Sequence, residues 1–412
     1  MESFGVGGKT WEISLSNNEK IYAMGSFYDN KKVKTLHLYD LDYDDAFEIR
    51  QNSIGIIGLN ESRVVVSFDF SVNEVIIDSN YSVDVIIFIH SYFICDKHSE
   101  IETANVKSID ISCQDLSGWS GSIECSVDNK DGGVLIRYKK ERSVDADFYC
   151  DTHKCRICIY KMIKISDVGD VHVRVVSSIK VYFKDTTNIK TAASVLGAIY
   201  RMMAFVIGDL PLFGHAYMET GEGNSIVYMH NFYSDEEKLI TPFKAIYYTK
   251  REEIEKVLSN LIKIDNEIRS IMLDIVGARD NYTYEDEFLR AMRSIDAITN
   301  NNIPGICEKL GKPFRVRFKM MTDKVIGKQL FCINVPIFGG NADVERKNVY
   351  EKVDRAVDIR NKIAHSYDGK IEMWTDMELR NLTNLFKELA RDYIMICVGA
   401  KTNPSGKIVS QL

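Results

Sequence analysis

Two hydrophobic periods divide this chain. From Lys9 to about Asp185 apolar and polar residues alternate in short runs, as in Trp11-Glu12-Ile13-Ser14-Leu15 and Val171-His172-Val173-Arg174-Val175. A period of two belongs to a strand with one buried face. From Arg251 onward the spacing becomes three and four, as in Ile254, Val257, Leu258, Leu261, Ile264, Ile268 and Ile271. That is the stripe of an amphipathic helix. A sheet cannot use the second pattern, nor a bundle the first, so the chain must hold one of each: an α+β fold.

In the front part, turn-formers such as Asn17-Asn18, Asp78-Ser79-Asn80 and Asn129-Lys130-Asp131-Gly132-Gly133 separate the alternating runs. Short strands joined by turns predict an N-terminal antiparallel β-rich domain over residues 1–185, sandwich or barrel-like. The β-branched run Val83-Asp84-Val85-Ile86-Ile87-Phe88-Ile89 predicts a strand buried on both faces. Ile189, Ala192, Leu196, Ile199, Met203 and Val206 then line a helix. Residues 186–250, with the short alternating pieces after that helix, read as a connection. Residues 251–412 predict an all-α antiparallel bundle, with helices over 253–277, 284–300, 342–366 and 375–398.

The longest apolar run, Ala198 to Phe213, contains Arg201 and Asp209 and falls short of a membrane span. The opening Met1-Glu2-Ser3-Phe4-Gly5 lacks the basic and apolar parts of a signal peptide. Nine scattered cysteines suit reduced thiols, so a cytoplasmic address without a membrane is expected. Net charge is −7, unevenly spread: from Arg251 on, 26 Lys and Arg face 24 Asp and Glu, leaving the acidic excess to the front part. An acidic front does not attract nucleic acid in bulk, whereas the C-terminal part is able to. The asymmetry points to two jobs on one chain.

Cys150, His153, Cys155 and Cys158 are zinc-ligand types within nine residues. Structural zinc sites draw ligand pairs from separated segments, and Cys155 to Tyr160 reads as a strand; the expectation is buried or reduced thiols, with no metal and no cofactor.

The chemistry concentrates near the C-terminus, at Val353 to Tyr367. Val353, Ala356, Val357, Ile363 and Ala364 form a helical stripe with Arg360 near its centre. A guanidinium there is costly unless an anion meets it, whether a ligand or an acidic side chain elsewhere in the chain, or unless its head snorkels past the core. Asn361 and His365, four apart, share an edge with Asp354 and Asp358. Those two acids either orient the imidazole or face water. Upstream, the window Lys309–Lys328 is rich in Lys and Arg, with Phe314 and Phe318 interleaved. It suits an RNA surface built from Arg315, Arg317, Lys319 and Lys324, with Lys362 beside it, or else an exposed helix face with both phenylalanines turned to the core.

Arg360-Asn361-Lys362-Ile363-Ala364-His365 resembles the signature of the HEPN family of all-helical ribonucleases. The β-then-α layout, with Leu116-Ser117-Gly118-Trp119 in its front half, is similar to that of the ApeA family of bacterial anti-phage HEPN proteins. The resemblance implies a metal-independent endoribonuclease acting in abortive infection, with RNA, such as tRNA, as substrate. It implies that His365 is the general acid or base for attack by the ribose 2′-hydroxyl, that Arg360 holds the scissile phosphate, and that Asn361 orients the phosphate or the catalytic groups. It further implies a homodimer formed through the HEPN domain and a phage-encoded trigger. The alternative is a non-catalytic HEPN module that binds RNA, nucleotide or protein, with sensing by the N-terminal half as the main activity.

Overall fold

The computed structural model describes residues 9–29, 34–60, 63–77, 82–96, 101, 104–113, 125–130, 133–138, 143–166, 172–207, 213–223, 225–230, 251–276, 283–300, 312–328, 342–364 and 374–399. The architecture is α+β, with a β-barrel at the front and helices at the back.

Strands β1 (Lys9–Leu15), β2 (Lys20–Asp29), β3 (Lys34–Leu41), β4 (Ser53–Asn60), β5 (Arg63–Ile77) and β6 (Val83–Cys95) close an antiparallel barrel in the order β1-β2-β3-β6-β5-β4. Alternation decides what fills it: Trp11, Ile13, Leu15, Leu36, Leu38 and Val85 turn inward. Trp11 is the largest of these, and the barrel makes room for it with glycine. Its cross-strand partner is Gly58, where a Cβ would overlap the indole, and its Nε1 donates to the Gly25 carbonyl at 3.2 Å. Helix α1 (Tyr43–Asn52) follows β3 and adds Ala46 and Ile49 to the same core. Asp42 caps it, accepting from the Asp45 N–H at 2.7 Å.

The run at 83–89 departs from expectation. Val83, Val85, Ile87 and Ile89 are buried, but Asp84, Ile86 and Phe88 are half-exposed, so only one face is packed. The barrel interior takes the odd positions, and nothing among the described residues seals the outer wall there. Burial on both faces occurs instead along β5, where Val65 enters the barrel and Val64 and Val66 enter a second core.

That second core lies under an extension of the sheet. Beyond Ile89, β6 leaves β3 and pairs through Ser91 to Ile94 with β14 (Ser225–His230). The sheet continues through β13 (Phe213–Thr220), β7 (Val106–Cys113), β12 (His172–Thr187), β11 (Cys155–Ser166) and β10 (Ser143–Cys150); β8 (Cys125–Lys130) and β9 (Gly133–Tyr138) pair as a separate hairpin. Residues 213–230 are therefore not a connecting strip. Their hairpin fills the gap between β7 and β6, satisfying backbone groups that two sheet edges would otherwise leave open.

Helix α2 (Ile189–Ile207) packs on β7 and carries the sheet onto the helical half. By length and composition Ile189–Val206 suffices to cross a membrane, contrary to the expectation from sequence, but 72% of it is buried inside the fold. The remaining helices are α3 (Arg251–Val276), α4 (Tyr284–Asn300), α5 (Phe314–Lys328), α6 (Ala342–Ala364) and α7 (Asp376–Cys397), and α3, α4, α6 and α7 lie within two residues of their expected bounds. α4 packs on α7, α5 on both, and α6 on α5. One continuous core joins them to the sheet, with Phe205, Leu261, Phe288, Phe318, Phe386 and Tyr393 among its members.

Polar ties reinforce that junction. Arg201 of α2 makes a buried two-pronged pair with Asp265 of α3, at 2.7 and 2.5 Å. Arg391 of α7 donates to the last-turn carbonyls of α2, Phe205 O at 2.8 Å and Val206 O at 2.6 Å, capping that helix. The Asp147 N–H, on the edge strand β10, donates to Glu255 of α3 at 2.8 Å, so the edge is covered by a helix.

Candidate functional site

Of the predicted stripe, helix α6 buries Val353, Ala356 and Val357, while Ile363 is half-buried; Val349 and Ile359, not foreseen in the stripe, are buried too, and the Arg360 side chain is 28% exposed. The anion that such a placement requires is Asp296 of α4, whose Oδ2 accepts from Arg360 Nη2 at 3.2 Å. The Arg360 guanidinium also lies 4.7 Å from the Phe314 ring centroid, a cation–π contact. Neither partner is legible from the motif, because Asp296 and Phe314 stand on other helices.

Asp296 serves a second cation. Its Oδ1 accepts from Arg317 Nη2 at 2.6 Å, and Arg317 further donates to Thr299 Oγ1 and the Lys312 carbonyl. Two guanidiniums on one carboxylate leave the cluster with an excess positive charge, at a place where Arg360 is still partly open. Such a spot attracts an anion.

The basic window resolves differently from an open RNA surface. Arg317 is 6% exposed, so it cannot track a backbone. Phe318 is buried edge-on against Phe386 at 4.8 Å, and Phe314 packs against the core beside it, so both rings turn inward. Arg315 pairs with Asp358 at 2.7 Å, Lys319 with Asp354 at 2.7 Å, and the Tyr350 hydroxyl donates to Asp323 at 2.5 Å. These rungs step by four residues in opposite directions along α5 and α6, the signature of two antiparallel helices laced edge to edge. Asp354 and Asp358 thus do not face water alone: they answer α5. Lys324 remains exposed, 5.7 Å from the Tyr393 ring centroid, while Asn361 is exposed and Lys362 half-buried at the end of α6.

His365 lies outside the described residues, as does the Leu116–Trp119 stretch. Arg360 and Asn361 thus define the candidate site, and Ala364, the last residue of α6, leads directly into His365.

A second feature beside α6 escapes sequence reading altogether. A groove of about 840 Å³ runs between α6 and the start of α7, lined by Asn348, Lys352, Arg355, Met377, Glu378 and Asn381 among others. Arg355 spans it to Glu378 at 2.8 Å, and that guanidinium holds the Glu378 carboxyl below its usual range.

The cysteine cluster does not gather. Cys150 and Cys155 face each other across the β10–β11 hairpin, both buried, whereas Cys158 points to the opposite side of β11 and donates to Asp147 at 3.4 Å. Alternation along one strand sends Cys155 and Cys158 to different faces, and no metal-holding group occurs among the described residues. Cys155 donates to Cys150, which draws the Cys150 thiol down to about 7 and pushes the Cys155 thiol up.

Compared with family models, with characterised proteins and with solved structures, the chain matches none.

Proposed function

We propose that this protein is a metal-independent endoribonuclease of the HEPN type, an effector of bacterial anti-phage defence working in the cytoplasm. The observation that carries the reading is Arg360: a half-exposed guanidinium, pinned by Asp296 and Phe314, one residue before an exposed Asn361 and five before His365. In this reading Arg360 binds the scissile phosphate through donors that Asp296 leaves open and offsets the charge growing on it. His365, an imidazole titrating near working pH, takes or gives the proton as the 2′-hydroxyl attacks phosphorus and the 5′-oxygen departs. The products are a 2′,3′-cyclic phosphate and a 5′-hydroxyl. Asn361 orients the phosphate. Two copies paired through the helical half would bring both motifs to one cleft, and the β-rich half would hold the activity in check or sense the phage.

The alternative, a HEPN-like module that binds without cutting, draws support from the internal pairing of Arg315, Arg317 and Lys319, which leaves few cations for a substrate on α5. The experiment that separates the two compares wild type with Arg360→Ala and His365→Ala in phage-challenged cells, with sequencing of RNA ends. Wild type should accumulate cut RNA, tRNA included, and arrest growth; both variants should do neither. If His365→Ala protects cells as wild type does, the nuclease reading fails and the binding reading takes its place.

A further inference from the structure

The outward positions of a barrel strand normally carry polar residues, because they face water. On β2, besides Lys20 and the buried Ser26, they carry Tyr22, Met24 and Tyr28, which are 62%, 47% and 41% exposed. The apolar character continues sideways. Met24 sits opposite Tyr39 of β3, whose ring lies 4.6 Å from that of His37; His37 in turn sits opposite the half-exposed Ile86 of β6. Ile76 of β5, opposite Asp84, extends the band and is 41% exposed. Tyrosine and methionine brought together on one surface are the residues enriched where proteins meet.

Among the described residues, the charges around this band are mainly acidic. Glu12 lies beside Tyr22 and accepts from its hydroxyl at 3.1 Å. Asp84 sits at the β6 edge, where His37 approaches it at 3.2 Å. At the end of β3 the chain passes through Asp40, Asp42, Asp44 and Asp45 into α1, which adds the exposed Tyr43 and Phe47. Among the described residues, Lys20 is held by Glu12 at 2.8 Å, Arg50 stands exposed in the last turn of α1, and His37 lies 3.2 Å from Asp84.

We infer that this face of the barrel is a docking surface for a protein partner that presents lysine or arginine among apolar side chains. The aromatic faces receive the cations and the apolar stems, and the surrounding carboxylates pair with the charges. The same carboxylates repel a nucleic-acid backbone, and they set acid against acid if a second copy of this chain approaches face to face. The inference rests on the reading of the β-rich half as the regulatory part, and it supplies the chemistry of what that half would recognise.

The test pans a display library of short random peptides against the immobilised full-length protein and measures the recovered peptides by fluorescence anisotropy. Peptides rich in Lys or Arg with aromatic or aliphatic neighbours are expected, binding more weakly as salt rises. The variant Tyr22→Ser/Met24→Ser/Tyr28→Ser, altered only at exposed positions, should bind them about tenfold or more weakly with an unchanged melting temperature. Glu12→Gln/Asp40→Asn should weaken them while keeping the apolar surface. Recovery of acidic or neutral peptides, or full affinity in the triple variant, overturns the inference. So does competition by an oligouridine, or a dimer in sedimentation that the triple variant dissolves. Arg360→Ala should leave peptide binding intact, so failure of the nuclease reading and failure of this one are distinguishable.

Discussion

Asp296 and Arg360, 64 residues apart in sequence, meet at 3.2 Å where α4 crosses the end of α6. The contact resolves a difficulty visible in the sequence, a permanent cation within an apolar stripe. It also ties Arg360 to the buried Arg317, because the other oxygen of Asp296 is committed there.

Asp296→Asn should therefore act twice. Two guanidiniums lose their shared carboxylate, one of them buried, and the melting transition should reflect a loss of about 2–3 kcal/mol. If Arg360 holds the scissile phosphate, RNA cleavage should fall by about 10–100-fold in kcat with a smaller change in KM. A variant that loses stability but cleaves normally would remove Asp296 from the site.

The barrel leaves no room at Gly58. Gly58→Ala drives a methyl into the Trp11 ring, and overpacking of this kind costs about 1–3 kcal/mol. Chemical denaturation should show it, and Trp11→Phe in the same chain should recover part of the loss. Additive effects of the two changes would contradict the overlap.

Burial should separate two sets of ion pairs. The α5–α6 rung Lys319–Asp354 is partly exposed, and a double-mutant cycle should give a coupling of about 0.2–1 kcal/mol that shrinks with salt. Arg391→Met removes two buried bonds to the end of α2 and should cost about 3 kcal/mol. Similar losses at both places would mean that burial does not govern these contacts.

His153 predicts a pH dependence. Burial, chiefly, and the nearby Arg201 hold its pKa below the ordinary 6.5, with Asp265 opposing them. Folding then favours the neutral ring. Above pH 6.5 the ring is neutral whether folded or unfolded; below it the unfolded chain takes up a proton that the folded one resists, so stability falls as pH drops from 6.5 toward the folded value. His153→Gln should flatten the unfolding midpoint across that window. An unchanged slope would assign the acid sensitivity to other groups. Glu378 acts in the same direction but lower: its lowered pKa gives stability that is lost as pH falls below the ordinary 4.5.

The two periods, read from residue spacing alone, set the α+β division and most helix bounds in the C-terminal half, because a face that must be buried repeats at the geometry of its own element. The spacing also singled out Arg360 as a cation in need of a partner. It could not name Asp296, Phe314 or the acids that answer α5, since those contacts depend on how helices cross rather than on any local pattern. Strand order is equally non-local: nothing in residues 213–230 says that their hairpin enters the sheet between β7 and β6. The outward tyrosines of β2 make the same point. Alternation marks them as lying on one face, and only closure of the barrel determined that this face would be left to the solvent.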